Sequence, residues 1–292
     1  MTLWIAVDWG TTALRATLMA PGAIETRISD KGMNTLTRNA FEPTFLDLCG
    51  DWIDGPTRVI ACGMVGARQG WAEAPYATVP AAPLGTGLTR VDAADPRLDI
   101  RIVPGLRQLA PHADVMRGEE TQIAGILREI KDLDGVACLP GTHTKWAHVS
   151  AGEVVSFRTA MTGELFATIC NHTVLRHSLT GDGWEEAPFL DAVSDALSRP
   201  ETLTARLFEL RAADLLHAQP AATARSILSG LLIGAELAAT RPWWLGRDVV
   251  ITGSSGTTRA YDAALRAQGV RPKLLPAEAM TLAGLTAAKD LP

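Results

Sequence analysis

The chain has 292 residues, enough for two separately cored domains, with 47% apolar residues and a formal charge of −5. It carries no Lys/Arg cluster, which argues against nucleic acid as the main partner, and no run approaches the roughly 20 continuous apolar residues that span a bilayer. Cys49, Cys62, Cys138 and Cys170 form no C-x-x-C pair, so zinc knuckles and dithiol redox motifs are excluded and the thiols are expected to be reduced and mostly buried.

The first residues, MTLWIAVD, contain no basic region, apolar core or cleavage site of a secretory leader, so the expected compartment is the cytoplasm. Residues 1–30 read as a three-stranded meander: LWIAVD, the turn GTTA, LRATLM, and a third run after Ala20-Pro21-Gly22. In the first turn, Gly10-Thr11-Thr12 offers backbone N–H groups and hydroxyls at a point where glycine lets an anion approach closely, a natural phosphate cradle. Asp8, just before it, is a hard oxygen ligand of the kind Mg²⁺ takes beside phosphates. Arg15, in the second strand, reads either as the partner of a surface acid or as a cleft residue.

Residues 41–52 are predicted helical from the spacing of Phe41, Phe45, Leu48 and Trp52. A strand at 58–62 then delivers a loop that gathers Arg68, Gln69, Trp71, Glu73 and Tyr76. Planar donors and aromatic faces in one loop suit a sugar or sugar acid, with Arg107 and Arg117 as further candidates for a carboxylate. Residues 71–99 are rich in Pro, Gly and Ala and read as loops and short strands lining a cleft. After a strand at 100–104, a helix is predicted over 118–131 from Ile123, Ile126, Leu127 and Ile130. Glu119 stands four residues before Ile123 and seven before Ile126, which predicts that it faces inward while Glu120 is rotated about 100° away. Both are candidates for a general base, Glu119 ahead of Glu120.

The second half opens at Val136 and repeats the opening pattern: GVACLP, the turn GTHT, then KWAHVS. Gly141 falls on Gly10 and Thr142 on Thr11, so Gly141-Thr142-His143 is a second phosphate cradle, with Lys145 close behind. Two such cradles would grip one polyphosphate from both sides. Helices follow at 165–179, 184–197, 202–217 and 223–240; His172 and His177 have a spacing unsuited to a metal pair and read as structural. A strand at 248–252 runs into Gly253-Ser254-Ser255-Gly256 and a helix at 257–268, a strand–glycine turn–helix of the kind that packs against a nucleotide. The last helix, 277–289, is expected to fold back on the first domain. The implied domains are 1–131, with 276–292 returning to it, and 132–275.

With these residues in view, the chain resembles the 2-dehydro-3-deoxygalactonokinase family of the actin and hexokinase superfamily. The resemblance runs over nearly the whole length, through WIAVDWGTT, GMVGARQGWAEAPY, VPGLRQ, DVMRGEETQ, LPGTHTKW, TAMTGELFA and GLLIGAEL. It implies an α/β fold of two ribonuclease H-like, actin-like domains with a nucleotide cleft between them. It also implies that Asp8 and Gly10-Thr11-Thr12 serve as the first phosphate and Mg²⁺ motif, Gly141-Thr142-His143 as the second, and Gly253–Gly256 against adenosine. Related kinases place a Gly-Asp-Gln turn where this chain has Gly118-Glu119-Glu120, and often a glycine where it has His143. The implied reaction is transfer of the γ-phosphoryl group of MgATP to the 6-hydroxyl of 2-dehydro-3-deoxy-D-galactonate. The alternatives are a kinase for 2-dehydro-3-deoxygluconate or a neutral sugar, or an actin-like ATPase scaffold. No oligomeric state is implied.

Overall fold

The structure, a computed structural model, describes residues 3–20 and 23–291. The turn expected at Pro21-Gly22 lies outside them. The chain runs through β1 (Trp4–Trp9), β2 (Leu14–Ala20), β3 (Ala23–Ser29), α1 (Phe41–Cys49), β4 (Thr57–Gly63), β5 (Tyr76–Thr78), β6 (Thr89–Arg90) and β7 (Leu98–Ile102). It continues with β8 (Gly105–Gln108), β9 (Asp114–Met116), α2 (Glu119–Glu129), β10 (Gly135–Leu139), β11 (Thr144–Ser150), β12 (Glu153–Ala160), α3 (Thr162–His172) and α4 (Glu186–Ser198). The remainder is α5 (Leu203–His217), α6 (Ala221–Ala239), α7 (Arg241–Trp244), β13 (Val249–Gly253), α8 (Ser255–Ala267), β14 (Lys273–Pro276) and α9 (Ala277–Ala288).

Two compact units result: Met1–Asp134 with Val149–Phe157 and Pro276–Pro292, and Gly135–His148 with Arg158–Leu275. The larger sheet has the order β3-β2-β1-β4-β7-β6, and the five-stranded sheet the order β12-β11-β10-β13-β14. In each, the first three strands lie side by side and later strands are added beyond the first, β4 and β7 in one, with β6 at its edge, and β13 and β14 in the other. This is the ribonuclease H-like order that the sequence resemblance implies. In the larger sheet β1 pairs antiparallel with β2 and parallel with β4, and β4 is parallel to β7. In the other, β10 is parallel to β13.

Strand alternation decides what each face of the larger sheet meets. Ile5, Val7 and Trp9 of β1 join Val59 and Ala61 of β4 in a core closed by Phe41 and Phe45 of α1. Trp4 and Ala6 face the other way, with Ile60 and Cys62, onto Ala124 of α2 and Leu285 and Ala288 of α9. Asp8 shares the parity of Trp4 and Ala6, so it emerges on the α2 and α9 side at the end of β1. The α2–α9 contact is close because glycines make it: a Cβ on Gly125 would strike the Met280 carbonyl, and one on Gly284 the Thr121 carbonyl.

In the second unit, Val136, Cys138, Trp146, Val249 and Ile251 pack against Phe189 and Val193 of α4, Ile233 and Leu237 of α6, and Tyr261 of α8. Gly230 and Gly234 let α6 lie directly on the carbonyls of Phe189 and Val193. Among the described residues α6 is the one helix long and apolar enough to cross a bilayer. Its bed of α4 and its buried Glu236 are those of a core helix. All four cysteines are free and buried.

Several expected elements differ at their ends. The helix expected over 41–52 closes at Cys49 and passes into a 3₁₀ turn, Gly50–Trp52. That expected over 165–179 starts earlier, at Thr162, and breaks at Thr173. There the extended backbone and a Thr173 Oγ1 that accepts from Leu175 N–H start a separate 3₁₀ turn, Val174–His177. A three-stranded sheet, β5-β8-β9, occupies part of what reads as irregular sequence, because its strands are only three or four residues long and too short to show a period.

Candidate active site

The first glycine–threonine turn joins β1 to β2 with Asp8 opposite Arg15 and Trp9 opposite Leu14. Gly10 N–H donates to Ala13 O at 2.9 Å, and the carbonyls of Gly10 and Thr11 accept from Met33 and Asn34 N–H, each at 3.0 Å. Gly32 closes on the back of the turn, since a Cβ there would overlap the Thr12 backbone. The turn is therefore braced from behind, while Thr11 and Thr12 are exposed. That is what an anion cradle requires.

Cross-strand pairing with Asp8 settles where Arg15 points. Its Nη1 lies 3.8 Å from Asp8 Oδ2 and its Nη2 2.9 Å from Glu278 Oε1, in the first turn of α9. Burial pushes the Asp8 carboxyl above its ordinary pKa; Arg15 opposes that shift, and the charges of Glu119 and Glu278 add to it. Glu119 is close because two glycines let β4 approach α2. Gly63 has φ +91° and packs on the Trp9 carbonyl, and Gly118 has φ +106° and packs on Gly63 Cα; both conformations are ones L side chains rarely adopt. No group of three or more His, Cys, Asp or Glu side chains forms a metal nest among the described residues. A cation at Asp8 would thus be held largely by phosphate oxygens and water, the usual habit of Mg²⁺.

The expectation that Glu119 faces inward and Glu120 is turned away is overturned. Glu120 is fully buried, and Glu119 is half-buried. The periodicity argument fails because α9 covers a second side of α2, so that Glu120, Thr121, Ile123, Ala124, Gly125 and Ile126 are all buried. Glu120 Oε2 accepts from Gly118 N–H at 2.6 Å and Oε1 from Thr121 Oγ1 at 3.0 Å. Burial, followed by the charge of Glu119, raises the Glu120 carboxyl to about 7. Glu119 Oε2 accepts from Arg117 N–H at 3.1 Å.

The 68–76 loop is spread over several environments. Arg68 is 81% exposed, with Nε 3.5 Å from Glu73 Oε1, and Gln69 is exposed beside it. Trp71 is half-buried: its ring meets Trp9 edge-on at 6.0 Å and stacks on Phe41 at 6.2 Å, and it also lines an open surface groove with Arg38, Glu42 and Arg90. Tyr76 carries the Arg117 guanidinium over its ring at 4.4 Å. Arg117 is buried and donates from Nη2 to Ala74 O at 2.7 Å, while Nε and Nη1 have no hydrogen-bond partner. Arg107 is exposed and donates to Thr78 Oγ1 at 2.9 Å.

The second unit gathers its expected residues more tightly. A cleft of about 440 Å³ is lined by Gly141 and Thr142 of the second turn, Ser254 and Gly256 after β13, and Thr162, Phe166, Trp184 and Arg225. Gly141, Thr142 and His143 are exposed at its edge, and His143 Nε2 lies 2.6 Å from Glu164 Oε2. Gly163 fits beneath the Gly141 carbonyl, where a Cβ would collide, and Glu164 N–H donates to Thr142 O at 2.9 Å. Gly253 and Ser255 complete the turn into α8, whose N-terminus carries positive dipole. The buried hydroxyls of Thr252 and Thr258, on either side of that turn, have no partner within the protein. Aromatic walls and two open glycine turns fit a nucleotide.

Two groups escape a reading of short motifs. Arg225 lies over the Phe166 ring at 5.2 Å and Arg259 over Trp184 at 4.7 Å, both pairs distant in sequence. Glu236 is buried under the cleft and accepts from Trp146 Nε1 at 2.7 Å, from Tyr261 OH at 2.7 Å and from Thr162 Oγ1. The only sequence signal for Glu236 was an acid inside an otherwise apolar run, GLLIGAEL.

Comparison with known proteins agrees with this geometry. A family described as 2-keto-3-deoxy-galactonokinase matches residues 8–288. A curated protein of Rhizobium meliloti (strain 1021), named as a candidate 2-dehydro-3-deoxygalactonokinase, is 41% identical over 294 residues, covering 98% of this chain and 96% of its own. The 2-dehydro-3-deoxygalactonokinase of Escherichia coli (strain K12) is 36% identical over 272 residues, covering 91% and 90%. A crystal structure of a candidate 2-dehydro-3-deoxygalactonokinase from Sinorhizobium meliloti matches with a TM-score of 0.90 at 41% identity, over 98% of this chain and 97% of that one.

Proposed function

Because the chain belongs to the 2-keto-3-deoxy-galactonokinase family, we propose that it transfers the γ-phosphoryl group of MgATP to the 6-hydroxyl of 2-dehydro-3-deoxy-D-galactonate. The observation that supports this reading beyond the family name is the nucleotide-sized cleft of the second unit, edged by Gly141 and Thr142 of its glycine–threonine turn. Gly10-Thr11-Thr12 and Gly141-Thr142-His143 are the two phosphate-binding turns. Gly253-Ser254-Ser255-Gly256 lies along the adenosine. Asp8 would hold Mg²⁺ directly or through water, and the ion would supply positive charge against the phosphates.

Glu119 is the general base. Its carboxylate takes the proton of the 6-hydroxyl as that oxygen forms its bond to the γ-phosphorus and the bond to the ADP oxygen breaks. Glu120, with both oxygens engaged by Gly118 and Thr121, fixes the turn that presents Glu119. The exposed Arg68 and Gln69, with the groove edge of Trp71, receive the sugar acid, Arg68 taking its carboxylate, while Tyr76, its ring covered by Arg117, braces the loop. The setting is small-molecule metabolism in the cytoplasm, where ATP is supplied.

Phosphorus NMR of the product tests the reaction. A phosphomonoester at carbon 6, formed in step with ADP and only with Mg²⁺ present, is expected. Release of inorganic phosphate alone, whatever sugar acid is added, would instead indicate an ATPase scaffold.

A further inference from the structure

The cleft of the second unit rests on one buried carboxylate that the chemistry does not use. Glu236, on α6, is 5% exposed. Its Oε1 accepts from Trp146 Nε1, and its Oε2 from Tyr261 OH and Thr162 Oγ1. Because the phenol proton is committed to Glu236, the 2.9 Å contact between Tyr261 OH and Thr144 Oγ1 has Thr144 as donor. The donors come from three elements. Thr144 and Trp146 lie on β11, directly after Gly141-Thr142-His143; Thr162 opens α3, whose Gly163 and Glu164 grip that same turn; Tyr261 lies on α8, which starts from the Ser254–Gly256 turn.

We propose that Glu236 is a positioning residue for nucleotide binding, its anionic carboxylate holding β11, α3 and α8 at the separations that the triphosphate and adenosine turns require. The reading rests on the assignment of this cleft to ATP. An acceptor-only carboxylate is what this donor set favours, since three donors converge on two oxygens and the indole N–H cannot reverse its role. Burial raises the Glu236 carboxyl's pKa, and the bonds from Thr162, Trp146 and Tyr261 oppose that shift. A neutral amide of the same size must set its NH₂ either against the indole N–H, which cannot accept, or against the Tyr261 and Thr162 hydroxyls, both of which must then turn to accept. Neither arrangement opens a cavity, so the disturbance falls on spacing rather than on packing volume.

Glu236→Gln tests this. The KM for ATP should rise about tenfold or more, the scale of one lost charged hydrogen bond, while the KM for the sugar acid stays within about twofold. Tyr261→Phe removes a donor that opposes the amide, so the double variant should bind ATP no worse than Glu236→Gln alone, a coupling that double-mutant cycles read directly. Val193→Ala, a core truncation in the same unit, provides a match for any loss of thermal stability and should leave the KM for ATP unchanged. An unchanged KM for ATP in Glu236→Gln, a parallel rise for both substrates, additive effects in the double variant, or a Val193→Ala variant that behaves like Glu236→Gln would each overturn the proposal. Gly256→Trp separates this from failure of the site assignment, because position 256 has no atom within 4 Å of a Cβ and the indole would fill the cleft. If Gly256→Trp leaves the KM for ATP unaltered, the ATP assignment falls and the proposal with it.

Discussion

Among single residues, the adjacent acids at the start of α2 have different surroundings, and the tasks proposed for them differ accordingly. Glu119 is half-buried and acts electrostatically on Asp8; Glu120 is sealed and satisfied by Gly118 and Thr121. Glu119→Gln is expected to lower kcat by about 10²–10⁴ with little change in either KM, the range for loss of a positioned base. Glu120→Gln should cost less than tenfold; an inactive Glu120→Gln beside an active Glu119→Gln would exchange the roles. Glu120 also sets a pH dependence. Its folded pKa, about 7, lies above the usual 4.5, so between those values the native state binds more protons than the unfolded chain. By linkage, its contribution to stability is present at lower pH and is lost as pH rises through about 7. Thermal unfolding at pH 5 and pH 8 should show Glu120→Gln gaining on the parent as pH rises, and a constant difference would remove the raised pKa from the account.

For the helices and strands, glycine decides how closely neighbours approach. Gly125 and Gly284 seat α9 on α2 and thereby bury a second side of the helix that carries both acids. Gly125→Ala should destabilise the protein by about 1–3 kcal/mol, because overpacking against the Met280 backbone outweighs the helix-propensity gain of alanine. Denaturant unfolding measures it, and a variant as stable as the parent would show that α9 shifts freely. The same contact explains what the sequence could and could not reveal. The run from Trp4 to Asp8, the glycine turn and the strand–turn–helix at Val249–Ala267 are local patterns, and each was legible in the residues themselves. The orientation of Glu119 and Glu120 was not, since it depends on a helix some 150 residues further on. Nor was the Glu236 network, whose donors Thr144, Trp146, Thr162 and Tyr261 share no short motif, or the small sheet β5-β8-β9, whose strands are too short to carry a period.

For the molecule as a whole, the repeated order of strands gives each unit one glycine–threonine turn after its first strand, and each turn is braced by glycine contacts of its own: Gly32 behind Thr12 in one, Gly163 beneath Gly141 in the other. With Gly10 laid on Gly141, Asp8 of β1 falls on Leu139 of β10, so the acid before the turn belongs to one unit alone. The 68–76 loop proposed to receive the acid, the proposed base Glu119 and Asp8 all belong to the first unit, and the nucleotide-sized cleft to the second. This division of labour is that of a transferase with two substrates, and its central claim concerns which acceptor is used. The most direct test is a coupled ADP-release assay on the purified chain with 2-dehydro-3-deoxygalactonate, its gluconate epimer, a neutral hexose and no acceptor, all with MgATP. The account predicts the highest kcat/KM with 2-dehydro-3-deoxygalactonate and only slow turnover without an acceptor; equal ADP release in all four reactions would contradict it.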